Sequence, residues 1–215
     1  MIRASLLALA LSASFAAPAY AGVTPMPHGA QGDAGDRHVR VTALKDGVLH
    51  IEMTDAKGQW PEAASWAVLS AARAASVPVK ASADGFSTDA ITVSINPDTL
   101  ALTVKGKDGT TILDGLTGGP LASGGTGIGV TAAMPMGQHI YGMGDKTGPI
   151  DRAGKSFVDW NTDSYGFTSS TDPIYKSIPF YIAAGAGQQP YGLFLDNTFR
   201  TRFDFGARTA GCPSQ

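Results

Sequence analysis

Runs of alternating apolar and polar residues in this chain last only a few positions before a turn signal stops them. His38-Val39-Arg40-Val41-Thr42-Ala43-Leu44 and Val48-Leu49-His50-Ile51-Glu52-Met53 flank Lys45-Asp46-Gly47. Alternation puts successive side chains on opposite faces of a strand, and Asp-Gly between two such runs is a strong hairpin signal. Ala90 to Ile95 and Leu100 to Val104 repeat the pattern around Asn96-Pro97-Asp98, and Lys107-Asp108-Gly109 turns into Thr110 to Leu113. Short runs recur at Ile140-Tyr141, Phe157-Val158, Phe180 to Ala183, Tyr191 to Leu195 and Thr201 to Phe205. Trp66 to Leu69 and Val77 to Lys80 are expected as weaker strands. The Ala-rich stretch Glu62 to Ser76 has no clean apolar stripe, so no helix is assigned there. No helix-period segment longer than about 12 residues survives, which removes support for an α/β nucleotide-binding fold. The expected class is all-β, an antiparallel β-sandwich. Gly22 to Asp36, rich in Pro and Gly, is expected as a flexible lead-in, and Gly115 to Gly129 as a long loop.

Composition agrees with a turn-rich globular chain. Hydrophobic residues make up 43% and charged residues 16%, with 27 Gly and 13 Pro in 215 residues. Such a chain can bury a core. Its net charge of −2 does not supply the basic stripe of a nucleic-acid binder. A single Cys excludes a disulfide framework within a monomer and a Cys-type zinc cluster. Met1 to Ala21 reads as a secretory signal peptide, with Arg3 at its start, Leu6 to Leu11 opening an apolar run, and Ala19-Tyr20-Ala21 as the cleavage site. The apolar run is shorter than the ~20 residues that span a bilayer. The expectation is an exported protein, periplasmic or extracellular, with no membrane contact after cleavage. The expected organisation is a signal peptide at 1–21, a lead-in at 22–36, a β-sandwich domain at 37–206 and an atypical tail at 207–215.

Several motifs fail on inspection. Gly142-Met143-Gly144-Asp145-Lys146-Thr147 has Asp145 where a phosphate loop needs Gly before Lys, and that carboxylate would repel phosphate. Asp159-Trp160-Asn161-Thr162-Asp163 opens like a calcium loop but has Ser164 for the turn Gly and Ser170 for the bidentate Glu. No G-x-S-x-G elbow is present. His28, His38, His50 and His139 are scattered without ligand spacing, so no metal site and no cofactor are expected. The stretch from Tyr141 to Lys176 places Asp145, Asp151, Asp159, Asp163 and Asp172 among Trp160, Tyr165, Phe167 and Tyr175. Carboxylates and aromatic faces together suit sugar hydroxyls and ring faces. Turn-capping by Asp accounts for the same composition.

Four ordered blocks in this region resemble a known family. They are Tyr141-Gly142-Met143-Gly144-Asp145-Lys146-Thr147-Gly148, Trp160-Asn161-Thr162-Asp163, Tyr175-Lys176-Ser177-Ile178-Pro179-Phe180 and Tyr191-Gly192-Leu193-Phe194-Leu195-Asp196-Asn197. Together they resemble the N-terminal β-sandwich domain of glycoside hydrolase family 31, the α-glucosidases and α-xylosidases. A weaker match reaches back to about Val39. The resemblance implies a galactose mutarotase-like fold and an α-linked oligosaccharide or glycoside as substrate of the intact enzyme. It implies that Asp163 borders the sugar site, with Trp160 and Asn161 supporting its loop; a turn-stabilising Asp163 is the alternative. Tyr175, Pro179 and Phe180 are expected to pack the sandwich, and Asp196-Asn197 to close a hairpin.

No catalytic residue is assigned. Retaining hydrolysis needs two carboxylates about 5–5.5 Å apart, and in this family the resemblance places both on a following barrel. A barrel needs about 250 residues, and after Gly206 the sequence gives only Ala207 to Gln215. The leading expectation is therefore the front module of an exported α-glycosidase, lacking its catalytic barrel. The alternatives are a stand-alone carbohydrate-binding module, an inactive truncation product with an exposed apolar face, or a mutarotase-like epimerase. Scattered His residues and only two Glu, Glu52 and Glu62, count against the last.

Overall fold

The computed structural model describes residues 22–54, 58–60, 66–120, 127–185 and 187–207. The signal peptide expected at 1–21 and the tail from 208 onward lie outside the described residues. Every strand pairing is antiparallel. The first sheet runs in sequence order through β1 (Gly22–Met26), β2 (Gly29–Ala34), β3 (Arg37–Lys45) and β4 (Val48–Met53). After the single-turn helix α1 (Ser70–Arg73) comes a six-stranded meander of β5 (Lys80–Ala81), β6 (Gly85–Ser87), β7 (Ile91–Ile95), β8 (Leu102–Gly106), β9 (Thr111–Pro120) and β10 (Ile128–Thr131). Two smaller sheets follow. One orders β11 (Gln138–Gly144), β13 (Ser177–Gly185) and β14 (Gln188–Phe194), and the other pairs β12 (Ser156–Asp159) with β15 (Thr201–Asp204).

The first two sheets form the sandwich. Val39, Val41 and Ala43 on β3 alternate inward and meet Phe86, Val93, Ile95 and Leu102 from the facing sheet. The polar partners of that alternation stay at the surface, so each strand buries one face. A second apolar cluster joins Ile140 and Met143 to Phe157, Ala183 and Phe205. Tyr191 packs against both clusters. The all-β sandwich expected from the alternation is present. No helix among the described residues is long and apolar enough to cross a membrane.

The turns follow their chemistry. Asn96 Oδ1 accepts from the amides of Asp98 at 3.0 Å and Thr99 at 2.9 Å, and Asp108 Oδ1 accepts from Thr110 at 2.9 Å. Lys45 pairs with Val48 across Asp46-Gly47.

Five local expectations need correction. Tyr175 and Phe180, expected to pack the sandwich, are both exposed and belong to neither apolar cluster; the Tyr175 hydroxyl instead donates to the Ser164 carbonyl at 3.2 Å. Gly22 to Asp36 is not a loose lead-in, because β1 and β2 form a hairpin there and β2 pairs along β3. Ala30 is fully buried. The glycines misled: a Cβ on Gly29 would sit 1.8 Å from the Val41 carbonyl oxygen, and one on Gly32 would sit 2.8 Å from Ile95. They are glycines because strand and core press against them, not because the chain turns. Gly115 to Pro120 likewise extends β9, and β10 pairs back onto it. Trp66 to Leu69 is a turn with Trp66 wholly exposed, leading into α1, and Val77 joins no strand pairing: its amide donates to the Ala43 carbonyl at 3.1 Å and its side chain packs against the first apolar cluster. Asp196-Asn197 closes no hairpin, since β14 pairs with β13 and β15 with β12; Asn197 caps the turn between sheets by accepting from Phe199 at 2.8 Å.

Gly29→Ala is expected to lower stability by about 2 kcal/mol or more, read from urea unfolding, since the added methyl must displace the β3 backbone. Gly47→Ala, which meets open space, serves as the control and should stay within about 0.5 kcal/mol.

Candidate functional site

Gly142-Met143-Gly144 is a β-bulge at the end of β11. The register with β13 shifts there, and Met143 takes φ 76° with its side chain fully buried. A Cβ on Gly144, at φ +74°, would lie 2.7 Å from the Lys176 carbonyl oxygen. The bulge turns the chain so that the Lys146 side chain is wholly buried.

The Lys146 ammonium sits between three segments. Its Nζ lies 2.8 Å from Asp159 Oδ1 and 3.7 Å from Asp172 Oδ1, and donates to the Val158 carbonyl at 2.7 Å. Asp172 Oδ2 in turn accepts from the Val158 amide at 2.7 Å. Asp159 ends β12 and Asp172 ends the loop that follows it. That loop, 160–171, carries Trp160, Asn161 and Asp163, and its two stems are joined through one lysine. The second Asp159 oxygen is buried without a hydrogen-bond partner. Burial therefore pushes the Asp159 carboxyl upward; Lys146 opposes the shift and the Asp172 charge adds to it.

Further contacts hold the loop. The Thr147 hydroxyl donates to the Thr171 carbonyl at 2.9 Å. Asn161 Oδ1 accepts from the Ser177 amide at 2.8 Å, fixing the loop to β13. The Tyr175 hydroxyl donates to the Ser164 carbonyl at 3.2 Å, and Phe167 meets the Tyr175 ring edge-on at 5.8 Å. Arg152, buried, donates to the carbonyls of Thr147 and Pro149 at 3.2 and 2.6 Å and lies over Phe157. Desolvation lowers its pKa.

The five aspartates of this stretch separate by environment. Asp151 faces His139 Nδ1 at 2.6 Å and accepts from the amides of Ile140 and Ala153, each at 3.0 Å. His139 first, then these amides, hold its carboxyl down at about 2. Asp151 thus adds stability above an unfolded value near 3.8, lost as the pH falls toward 2. Asp159 and Asp172 belong to the lysine cluster. Asp145 and Asp163 accept no hydrogen bond among the described residues. Asp163 is exposed, and Trp160, half exposed, stands beside the buried Asp159. The structure thus puts Trp160, Asn161 and Asp163 on one loop, with Asn161 structural and Asp163 facing solvent. Sequence reading passed over Lys146, whose partners lie 13 and 26 residues away. The one available signal was a lysine inside an Asp-rich, Gly-rich block.

Residues 38–204 match the sequence model of the glycosyl hydrolase 31 N-terminal galactose mutarotase-like domain. The chain is 42% identical over 77 residues to α-glucosidase 2 of Bacillus thermoamyloliquefaciens, a match that covers 35% of this chain and 10% of that one. It is 32% identical over 77 residues to an α-glucosidase of Saccharolobus solfataricus, covering 36% and 11%. It is 39% identical over 64 residues to an α-xylosidase of Emericella nidulans, covering 30% and 7%. Its matches thus span about a tenth of the length of these relatives. A family 31 dextranase from Flavobacterium johnsoniae superposes with a TM-score of 0.72 at 23% identity, over 88% of this chain and 24% of the dextranase. That likeness supports the fold.

Asp159 is an acid whose folded pKa lies above its unfolded value. Its ionised form is disfavoured in the fold, so stability falls as pH rises from about 3.8 through the folded pKa. Asp159→Asn leaves the buried Lys146 ammonium with Asp172 at 3.7 Å and the Val158 carbonyl, so it is expected to lower stability at pH 7 by about 3–5 kcal/mol and to flatten that acid-side slope. A change of less than about 1 kcal/mol would mean that the pair does not offset its own desolvation. Urea unfolding from pH 3 to 7 distinguishes the two.

Proposed function

Since the chain belongs to the glycosyl hydrolase 31 family, through its N-terminal galactose mutarotase-like domain, we propose that it is the accessory sandwich of an exported α-glycosidase acting on α-linked glucosides or xylosides. In this reading the domain lends the 160–171 loop to the rim of the sugar site, where the Asp163 carboxylate accepts hydrogen bonds from sugar hydroxyls. Trp160 offers a ring face beside it, and Asn161 ties the loop to β13. The two carboxylates of retaining hydrolysis are supplied by parts of the family's chain outside this match. Export rests on the Arg3-to-Ala21 pattern.

The observation that carries the reading is the state of Asp163. An Asp that shapes a turn spends its oxygens on nearby amides, as Asp108 and Asp151 do. Asp163 spends neither among the described residues and faces solvent. A charged acceptor held on an anchored loop is suited to an external donor, and such a bond contributes about 1.5–3 kcal/mol.

A second observation favours a larger assembly over a stand-alone module. The outward face of the β11–β13–β14 sheet carries Tyr141, Ile178, Phe180, Ile182 and Phe194, all exposed. Phe180 pairs with Phe194, and Ile182 with Tyr141. An antiparallel sheet with one face in water alternates to polar residues there, and this one does not.

Maltotriose titration followed by amide chemical shifts tests the sugar reading. Saturable binding near or weaker than about 1 mM, with shifts confined to the loop, is expected. Asp163→Ala should weaken it about tenfold or more. Absence of saturation with maltotriose and with an α-xylosyl disaccharide, at sugar concentrations of tens of millimolar (~10 times that Kd), rejects the contact. The isolated chain should also self-associate in size-exclusion chromatography, and Phe180→Ser with Ile182→Thr should return it to monomer.

A further inference from the structure

We infer that Lys146 is the positioning residue of the 160–171 loop, clamping its two stems together through Asp159 and Asp172. The inference rests on the reading of that loop as the sugar-contact segment, but its geometry stands apart from any sugar. Lys146 enters from the bulge after β11, a segment the loop does not otherwise include. Its ammonium reaches the last residue of β12 at 2.8 Å and the residue closing the loop at 3.7 Å. Between these stems Val158 is held twice, its carbonyl by Lys146 and its amide by Asp172. The cluster has one cation for two carboxylates, and the side chains of Lys146 and Asp159 are almost wholly dry. Removing the cation takes away the group that contacts both stems and leaves two neighbouring carboxylates with no counter-ion between them, so the stems lose their joint.

The clamp differs from general packing in its reach. The residues that form the sandwich core lie on β2, β3 and β6 to β9 and in the turn between β7 and β8, and they make up an apolar cluster separate from that of Ile140, Met143 and Phe157 beside the lysine. Loss of the clamp should free the loop while the sandwich stays closed. Local opening of this kind is read by proteolysis and by amide exchange, both of which track the population of the open form.

The test uses the full chain and chymotrypsin, with Tyr165 fully exposed and Phe167 half exposed as the cleavage positions in the loop. Lys146→Met should speed cleavage after these residues by about tenfold or more, the scale of losing one partner of a buried pair. Amide exchange at Val158 and Ser177 should accelerate with it, while Val41, Val93 and Val104 in the sandwich keep their protection. Asp172→Asn, which leaves the closer Lys146–Asp159 pair in place, should give a smaller change in the same direction, and decides the matter should Lys146→Met fail to fold. Unchanged cleavage in folded variants, or faster exchange at loop and sandwich alike, overturns the clamp. A loop released by Lys146→Met in a chain that never binds maltotriose upholds the clamp and rejects the sugar contact.

Discussion

Putting an ammonium group out of water costs several kcal/mol, and only close anions and acceptors offset it. Lys146 finds a carbonyl and two carboxylates, and each belongs to a different part of the chain from its own. That requirement fixes where β12 ends and where the chain must return to begin β13. It also explains the strained backbone just before the lysine. Met143 at φ 76° and the close approach at Gly144 are the means by which β11 turns its last residues inward, toward the second apolar cluster. The bulge, the buried ion cluster and the loop form one physical unit.

That unit stands on the sandwich through aromatic contacts. Tyr181 lies edge-on to Phe205 at 5.1 Å and near Tyr191, and Tyr191 packs on both apolar clusters. Burial raises the pKa of both tyrosines, most strongly Tyr181, so neither hydroxyl ionises near neutrality. The arrangement gives a rigid base for a polar rim. Loops that carry function are commonly placed this way, on a scaffold whose own residues do no chemistry.

What the sequence discloses here depends on how local the cause is. Hairpins at Asn96 and Asp108-Gly109 are legible because the turn residues act on amides two or three positions away, and that at Asp46-Gly47 because Asp-Gly sits between two alternating runs. The strands at Gly29 to Ala34 and Gly115 to Pro120 are not legible. Their glycines answer to carbonyls, methyls and a thioether brought near only by folding, namely Val41, Ile95 and Met53. Glycine reads as a turn in sequence and as a close approach in structure. For the same reason the partners of Lys146, 13 and 26 residues away, are not legible along the chain. Of the candidate site, Asp163 came from the four-block resemblance and not from composition, which left turn-capping open. The resemblance implies a supporting role for Asn161, whose Oδ1 accepts from the Ser177 amide sixteen residues on, a bond that nothing along the chain announces.

The surface of the β11–β13–β14 sheet bears on how the loop can work. A single carboxylate and a half-exposed indole bind a sugar weakly, because ordering the ligand consumes much of what one charged bond and one ring face contribute. The same groups contribute far more when a second wall already holds the ligand, since the entropy of association is then met once for both. The loop and the apolar face share strand β13: Ser177, at its start, anchors Asn161, while Ile178, Phe180 and Ile182 project outward along it. Covering that face with another apolar surface would therefore set the distance from the covering surface to Asp163 within a rigid strand, not across a flexible linker. Docking on that face and the placement of the proposed sugar contact would thus be coupled through one element, as the reading of this chain as an accessory domain requires.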